Sequence, residues 1–136
     1  MKRLLTLFVL GLALCSFTGS EKEFDLIGRW ESAVEGEVYA FTFEKDGYVT
    51  MQKGDMTMGG KEFEMAGEKA SMQYSVDYNK NPNEVDFIMT RLSKNEKRTV
   101  LKGIFKVQGD NEILLVMGAE RPESFEGTEA LVFKRK

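Results

Sequence analysis

The sequence predicts an all-β fold, an antiparallel barrel of eight or nine strands, and two observations lead to that class. Short apolar segments with period-two alternation are separated by turn signals roughly every ten residues, and no segment has the apolar period of an amphipathic helix. Glycine is frequent and proline rare, with 13 and 2 residues among 136, which suits tight turns between uninterrupted strands. A chain of this length is expected to form one domain with its own hydrophobic core.

The first and last predicted strands carry the residues that would close such a barrel. The first strand opens with Gly28-Arg29-Trp30, and the last ends with Phe133-Lys134-Arg135. We expect the guanidinium group of Arg135 to lie across the indole of Trp30 at the closed end of the barrel. Such a cation–π contact is worth about 0.5–2 kcal/mol, depending on its desolvation. Gly28, Trp30 and Arg135 are therefore the candidate residues for closure.

The segments between these ends follow the same alternation. Asp46-Gly47 is a hairpin signal, because this pair readily adopts the positive φ that tight turns require. Residues 53–60 are predicted to be a loop, residues 93–98 a charged turn, and residues 119–127 the longest irregular segment. Strands are expected over residues 26–32, 38–43, 48–52, 61–65, 68–76, 85–90, 101–107, 113–117 and 131–135.

Seven residues on the inward faces of these strands are candidates for lining a binding pocket. An eight-stranded barrel is either filled by its own side chains or wide enough to hold one small ligand. The rings and methionines therefore either pack as a core or line a mainly apolar cavity that opens near the turns at one end. The seven residues are Phe41, Phe43, Met51, Tyr74, Phe87, Met89 and Phe105.

Residues 1–20 have the pattern of an export signal. Lys2-Arg3 precede an apolar run over residues 4–15, which is too short to span a bilayer. Cleavage after Ser20 would leave residues 21–136 as the mature domain. Alternatively, residues 12–15 resemble a bacterial lipobox, so that 1–14 would be a lipoprotein signal and Cys15 would be acylated. Both routes remain open, and a lipid anchor at Cys15 is the one membrane attachment we expect.

Charge and composition argue against nucleic-acid binding and catalysis. The formal net charge is -3, or -5 without Lys2 and Arg3, and no basic cluster is present to bind phosphates. Without histidine, and with Cys15 as its single cysteine, the chain lacks the usual nucleophilic dyads and zinc ligands. We expect neither an enzyme nor a cofactor. Paired carboxylates could in principle support hydrolysis, but acidic residues near one another, such as Asp77, Glu84 and Asp86, are expected by chance in a chain with 22 acidic residues.

Methionine is the one residue type that raises the question of a metal. Met56-x-Met58 and Met65 can be compared with copper-binding motifs, since thioethers select Cu(I). Other methionines are scattered over the predicted strands, where a flexible side chain fills irregular apolar space. The sequence therefore favours packing, and no metal site is predicted.

The two ends of the chain resemble the lipocalin-like (calycin) barrels, in which a Gly-x-Trp opens the first strand and an arginine closes the last. The second half is similar to a small bacterial lipocalin-like family of exported, mostly uncharacterised proteins. The matching pieces occur in the family's order, which extends the resemblance over almost the whole mature chain. They are Pro82 before Val85-Asp86, then Lys102-Gly103-Ile104-Phe105, Gly109-Asp110, and Arg121-Pro122 with Phe125. The resemblance implies a lipocalin-type barrel without an agreed ligand or known catalytic residues.

Two functions follow as expectations. The first is an exported, noncatalytic domain that binds a small apolar or amphipathic molecule in the cell envelope. The second is a filled barrel that contacts another envelope protein through its outer surface or loops. On the long segment before the last strand, Arg121 and Phe125 would either guard the barrel mouth or hold that segment against the wall.

Overall fold

Ten antiparallel strands form the regular structure of residues 24–126 and 129–136, the part of the chain that the computed structural model describes. The predicted export signal and Cys15 lie outside these residues. The strands are β1 (Gly28–Val34), β2 (Glu37–Phe43), β3 (Val49–Lys53), β4 (Met56–Gly59), β5 (Phe63–Met65), β6 (Glu68–Asp77), β7 (Asn83–Arg91), β8 (Glu96–Gly109), β9 (Glu112–Gly118) and β10 (Leu131–Arg135).

The strands form one sheet in the order β4-β3-β2-β1-β10-β9-β8-β7-β6-β5. Pairing of β1 with β10 brings the two ends of the domain together in the middle of this sheet. The far edges approach each other as well. The Met72 amide donates to the Gly60 carbonyl at 2.9 Å, and the Tyr74 amide donates to the Gly47 carbonyl at 3.0 Å. The predicted all-β, barrel-like architecture is confirmed, and the barrel is nearly closed.

The number of strands was predicted wrongly, because β4 lies within residues 53–60, which the glycine content marked as a loop. Gly54 has a φ of +58° and forms a two-residue turn after β3, so the chain returns at once as β4. Thr57 separates Met56 from Met58, a short alternation that is the local signal for this strand. Ten strands therefore replace the expected eight or nine. The turn predicted over residues 93–98 is also shorter, since β8 begins at Glu96.

Aromatic rings fill the middle of the barrel. The Phe87 ring meets Phe41 at a centroid distance of 5.3 Å and an angle of 88°, and it meets Phe43 at 5.9 Å and 86°. These edge-to-face arrangements are the favoured geometry for aromatic pairs. Phe43 and Phe87 are fully buried, and Phe41 is 9% exposed. Side chains therefore fill the centre of the barrel where β2 faces β7.

Arg135 and Trp30 close one end of the barrel, here named the closed end. The guanidinium carbon of Arg135 lies 4.4 Å from the centroid of the indole ring, so the predicted cation–π contact is present. The indole is fully buried, and its Nε1 donates to the Leu26 carbonyl at 2.8 Å. Arg135 also donates to the backbone carbonyls of Ile27 and Asp25, the latter at 3.0 Å. One side chain thus ties the last strand to the segment that precedes the first.

Gly28 provides the backbone geometry for this arrangement. Its φ is +124°, a region that residues with a Cβ rarely adopt. A Cβ atom there would lie 3.5 Å from the Arg135 Nη1 atom, an ordinary van der Waals distance, so the backbone conformation rather than lack of space favours glycine. Glycine at this position therefore lets the chain enter β1 beneath the arginine side chain.

Arg121 holds the segment between β9 and β10 against the outer wall. Its Nη1 donates to the Gly103 carbonyl at 3.0 Å, and its Nη2 lies 2.8 Å from Oδ1 of Asp86 in an ion pair that is not aligned as a hydrogen bond. Glu84 lies 3.5 Å away on the same face of β7. Ile104 points outward beneath this segment and is only 2% exposed. The two acids therefore serve as a structural anchor on the wall, away from the barrel mouth.

Replacing Trp30 with alanine is expected to lower the free energy of unfolding by about 3–5 kcal/mol, the usual cost of truncating a buried aromatic side chain. The substitution also removes the hydrogen bond to Leu26 and the surface that Arg135 covers. Urea denaturation followed by far-ultraviolet circular dichroism measures the loss. Val132→Ala is the control on the outer face of β10, where a 42% exposed side chain should matter by less than about 0.5 kcal/mol. Equal losses in the two variants would contradict the assigned role of Trp30.

Candidate binding site at the open end of the barrel

The end of the barrel opposite Trp30 and Arg135, here named the open end, holds an apolar depression of about 300 Å³. Strands β2, β3 and β4 form one side of it, and β8 and β9 form the other. Such a volume is at the lower limit for sites that bind small molecules. The side chains that line the depression are Tyr39, Phe41, Met51, Gln52, Lys53, Met56, Met58, Leu101 and Met117.

Strand register places these side chains together. Met51 pairs with Phe41 on one side and with Met58 on the other, so three apolar side chains share one face. Phe41 forms the floor, since its ring also lies 5.3 Å from the rings of Phe87 and Phe133. The depression therefore ends on the aromatic centre of the barrel.

Gly103 makes the opposite wall possible. A Cβ atom on this residue would lie 2.6 Å from Cγ of Met117 and 3.1 Å from the Val116 carbonyl oxygen. Because Gly103 has no side chain, Met117 can lie directly against β8. A larger residue at position 103 would push the methionine into the depression.

Among the described residues that line the depression, Lys53 is the only charged one. Its Nζ lies 5.6 Å from the centroid of the Tyr39 ring at the rim. Lys53 is exposed, so this contact is a weak cation–π interaction. The depression thus offers an apolar interior with a single ammonium group at its edge.

The structure places the seven predicted pocket residues at different depths. Phe41 and Met51 line the depression, whereas Phe43, Phe87 and Phe105 are at most 1% exposed in the core. Tyr74 and Met89 are half-buried and pack against the same core. Seven residues that line the depression are absent from the predicted set, and three of them lie in the segment predicted to be a loop, residues 53–60. The seven are Tyr39, Gln52, Lys53, Met56, Met58, Leu101 and Met117.

Tyr74 has its own environment near the β2–β3 turn. Its hydroxyl donates to the Glu44 carbonyl at 2.9 Å, and its ring lies 4.9 Å from that of Phe43. Burial raises the pKa of the Tyr74 phenol above its ordinary value of 10.0. This group therefore stays protonated at neutral pH and acts as a hydrogen-bond donor within the fold.

No protein-family model, curated protein or solved structure matches this chain. Within residues 24–126 and 129–136, histidine, cysteine, aspartate and glutamate form no cluster of three or more that could hold a metal ion. In the same residues there is no helix long and apolar enough to cross a membrane. The functional argument therefore depends on the geometry of the depression and on the sequence patterns described above.

Stability is expected to fall at alkaline pH because of Tyr74. The folded state raises the pKa of its phenol. The stabilisation linked to this group is therefore complete below the pKa of the unfolded state, about 10, and is lost as the pH rises through the pKa of the folded state. Ultraviolet absorbance titration combined with urea denaturation across this range measures both effects. Tyr74→Phe should remove one late-titrating phenol and flatten the alkaline loss.

Tyr78→Phe is the comparison variant, because burial raises the pKa of that phenol too. It should remove a second late-titrating phenol and leave that of Tyr74 in place. Alkaline stability curves of the same steepness for the parent protein and Tyr74→Phe would show the expected linkage to be wrong.

Proposed function

We propose that this chain is an exported, noncatalytic lipocalin-like domain that binds a small apolar or amphipathic molecule in the cell envelope. The observation that carries the proposal is the apolar depression at the open end of the barrel. The Trp30–Arg135 contact supports the lipocalin-like part, since it joins the two sequence elements on which that resemblance depends. The basic and apolar pattern of residues 1–20 supports export.

The shape of the depression argues for a particular kind of ligand. Its floor closes at Phe41, and its volume is about 300 Å³, so it suits the apolar end of a molecule better than a whole large ligand. The rest of such a molecule would extend past Lys53 into solvent. Aromatic and thioether surfaces provide most of the contact, and burial of apolar area provides most of the binding energy.

The lining residues also support a noncatalytic role. Among the described residues around the depression, none has a carboxylate, thiol or imidazole group. Glu84 and Asp86, two acids that lie near each other in sequence, are paired with Arg121 on the outer wall. The depression therefore offers surface for binding and no acid–base pair for proton transfer.

A groove between β1 and β10 favours the second candidate, an interaction module that contacts another envelope protein. In the described part of the chain these strands pair at Trp30–Arg135 and Glu31–Lys134, after which they separate. The resulting groove of about 550 Å³ has a mixed lining, in which Glu31, Lys134 and Lys136 accompany exposed apolar residues such as Val38 and Val132, which are 38% and 42% exposed. An extended segment of a partner that added to the separated strands would fit this surface.

Titration with N-phenylnaphthylamine, a neutral dye that fluoresces in apolar surroundings, is expected to show one saturable site. Met58→Glu should weaken this binding by about tenfold or more, because the ligand would have to bury a carboxylate among apolar side chains. The matched control is Met65→Glu on β5, which introduces the same charge outside the depression. Circular dichroism of both variants verifies the fold.

If the dye shows no saturable binding, or if the two substitutions weaken dye binding equally, the ligand-binding proposal is wrong. The interaction module would then be the better account of the barrel. Val38→Glu would test that account, because it places a charge in the groove between β1 and β10.

A further inference from the structure

Methionine sulfur is concentrated at the open end. Of the seven methionines within the described residues, four line the same depression, and they come from three different strands. Leucine would provide a comparable apolar surface at these positions, because the two side chains have similar volumes. What methionine adds is a thioether with a lone pair that can bind a soft metal ion.

Three of these thioethers lie on one face of a single hairpin. Met51 of β3 and Met58 of β4 are directly opposite in the ladder, which places their Cβ atoms about 4.5–5.5 Å apart. Met56 is two residues before Met58, so it points to the same face about 7 Å along the strand. Since a methionine side chain has three rotatable bonds, these spacings allow the three sulfur atoms to meet at one point.

Exposure of the same residues leaves a route for an ion. Met56 is 66% exposed at the rim, whereas Met51 and Met58 are half-buried inside it. Met117 faces the same space from β9. An ion can therefore reach the outer thioether first and lose its water in the apolar interior.

We propose that Met51, Met56 and Met58 form a binding site for Cu(I), with Ag(I) as the equivalent soft monovalent ion. Thioethers prefer these ions over hard cations, and the ligands are neutral, so the bound ion keeps its single positive charge. Lys53, directly opposite Met56, repels cations in proportion to their charge and so opposes divalent ions more strongly. The ion enters already reduced, and binding involves no electron transfer. This inference goes beyond the proposed apolar ligand, although both use the same depression.

Titration with Ag(I) tests the site without redox chemistry. The full chain carrying Cys15→Ser is used in detergent micelles, because a thiol would compete for the ion, and its methionine methyl groups are labelled with ¹³C. We expect one Ag(I) per chain by native mass spectrometry. The methyl signals of Met51, Met56 and Met58 should shift together up to that ratio, whereas those of Met65, Met72 and Met89 should not.

Replacing single methionines with leucine tests which thioethers bind the ion. Met58→Leu should weaken Ag(I) binding by about tenfold or more, a change of at least about 1.4 kcal/mol. Met65→Leu, outside the depression, should leave it unchanged. Binding should also persist near pH 4, where carboxylates become protonated but thioethers do not. Failure to saturate, equal shifts at Met65, or equal effects of the two leucine variants would overturn the proposal.

Dye and silver titrations of the parent chain separate this inference from the proposed function. Loss of silver binding in the parent chain with intact dye binding would reject only the metal site. Silver binding without dye binding would reject the apolar ligand and leave the metal site standing.

Discussion

The side chain of Arg135 reinforces the shortest strand ladder of the barrel, the one between the first and last strands. Two residue pairs join β1 to β10 in the described part of the chain, far fewer than join β7 to β8 or β8 to β9. The guanidinium group adds a stacking contact with Trp30 and hydrogen bonds to two carbonyl groups before β1. Because these contacts are local, closure is strong at one end, and the same two strands separate toward the other.

This asymmetry continues through the interior. Trp30 and Phe105 fill the closed end, and edge-to-face phenylalanine rings fill the centre. Toward the open end the rings give way to methionines, whose side chains are flexible and polarisable. The barrel thus changes from a fixed aromatic core to an adaptable rim, and that rim is where a ligand would find both space and side chains able to adjust.

The sequence predicted which side chains of most strands point inward, but it could not predict how deeply each of them is buried. Period-two alternation correctly predicted that Phe41 and Phe87 both point inward. Phe41 nevertheless lines the depression, whereas Phe87 is fully buried, because the burial of a side chain depends on where its strand crosses the neighbouring strands. The contact of Trp30 with Arg135 was predictable, since it requires only that the first and last strands meet. Met117 could not be assigned, because its place in the depression depends on Gly103 of the adjacent strand and on the wall across the barrel.

The choice of methionine at the open end has an energetic consequence that bears on both proposed ligands. Ordering a methionine side chain costs more conformational entropy than ordering a leucine, up to about 1.5–2 kcal/mol against about 0.5–1 kcal/mol. Leucines at Met51, Met56 and Met58 would therefore bind an apolar molecule of fixed shape at a lower entropic cost. Methionine becomes favourable when the bound molecule varies in shape, or when the sulfur atoms themselves form bonds. The depression is thus better suited to a varied set of apolar groups, or to a soft ion, than to one rigid ligand.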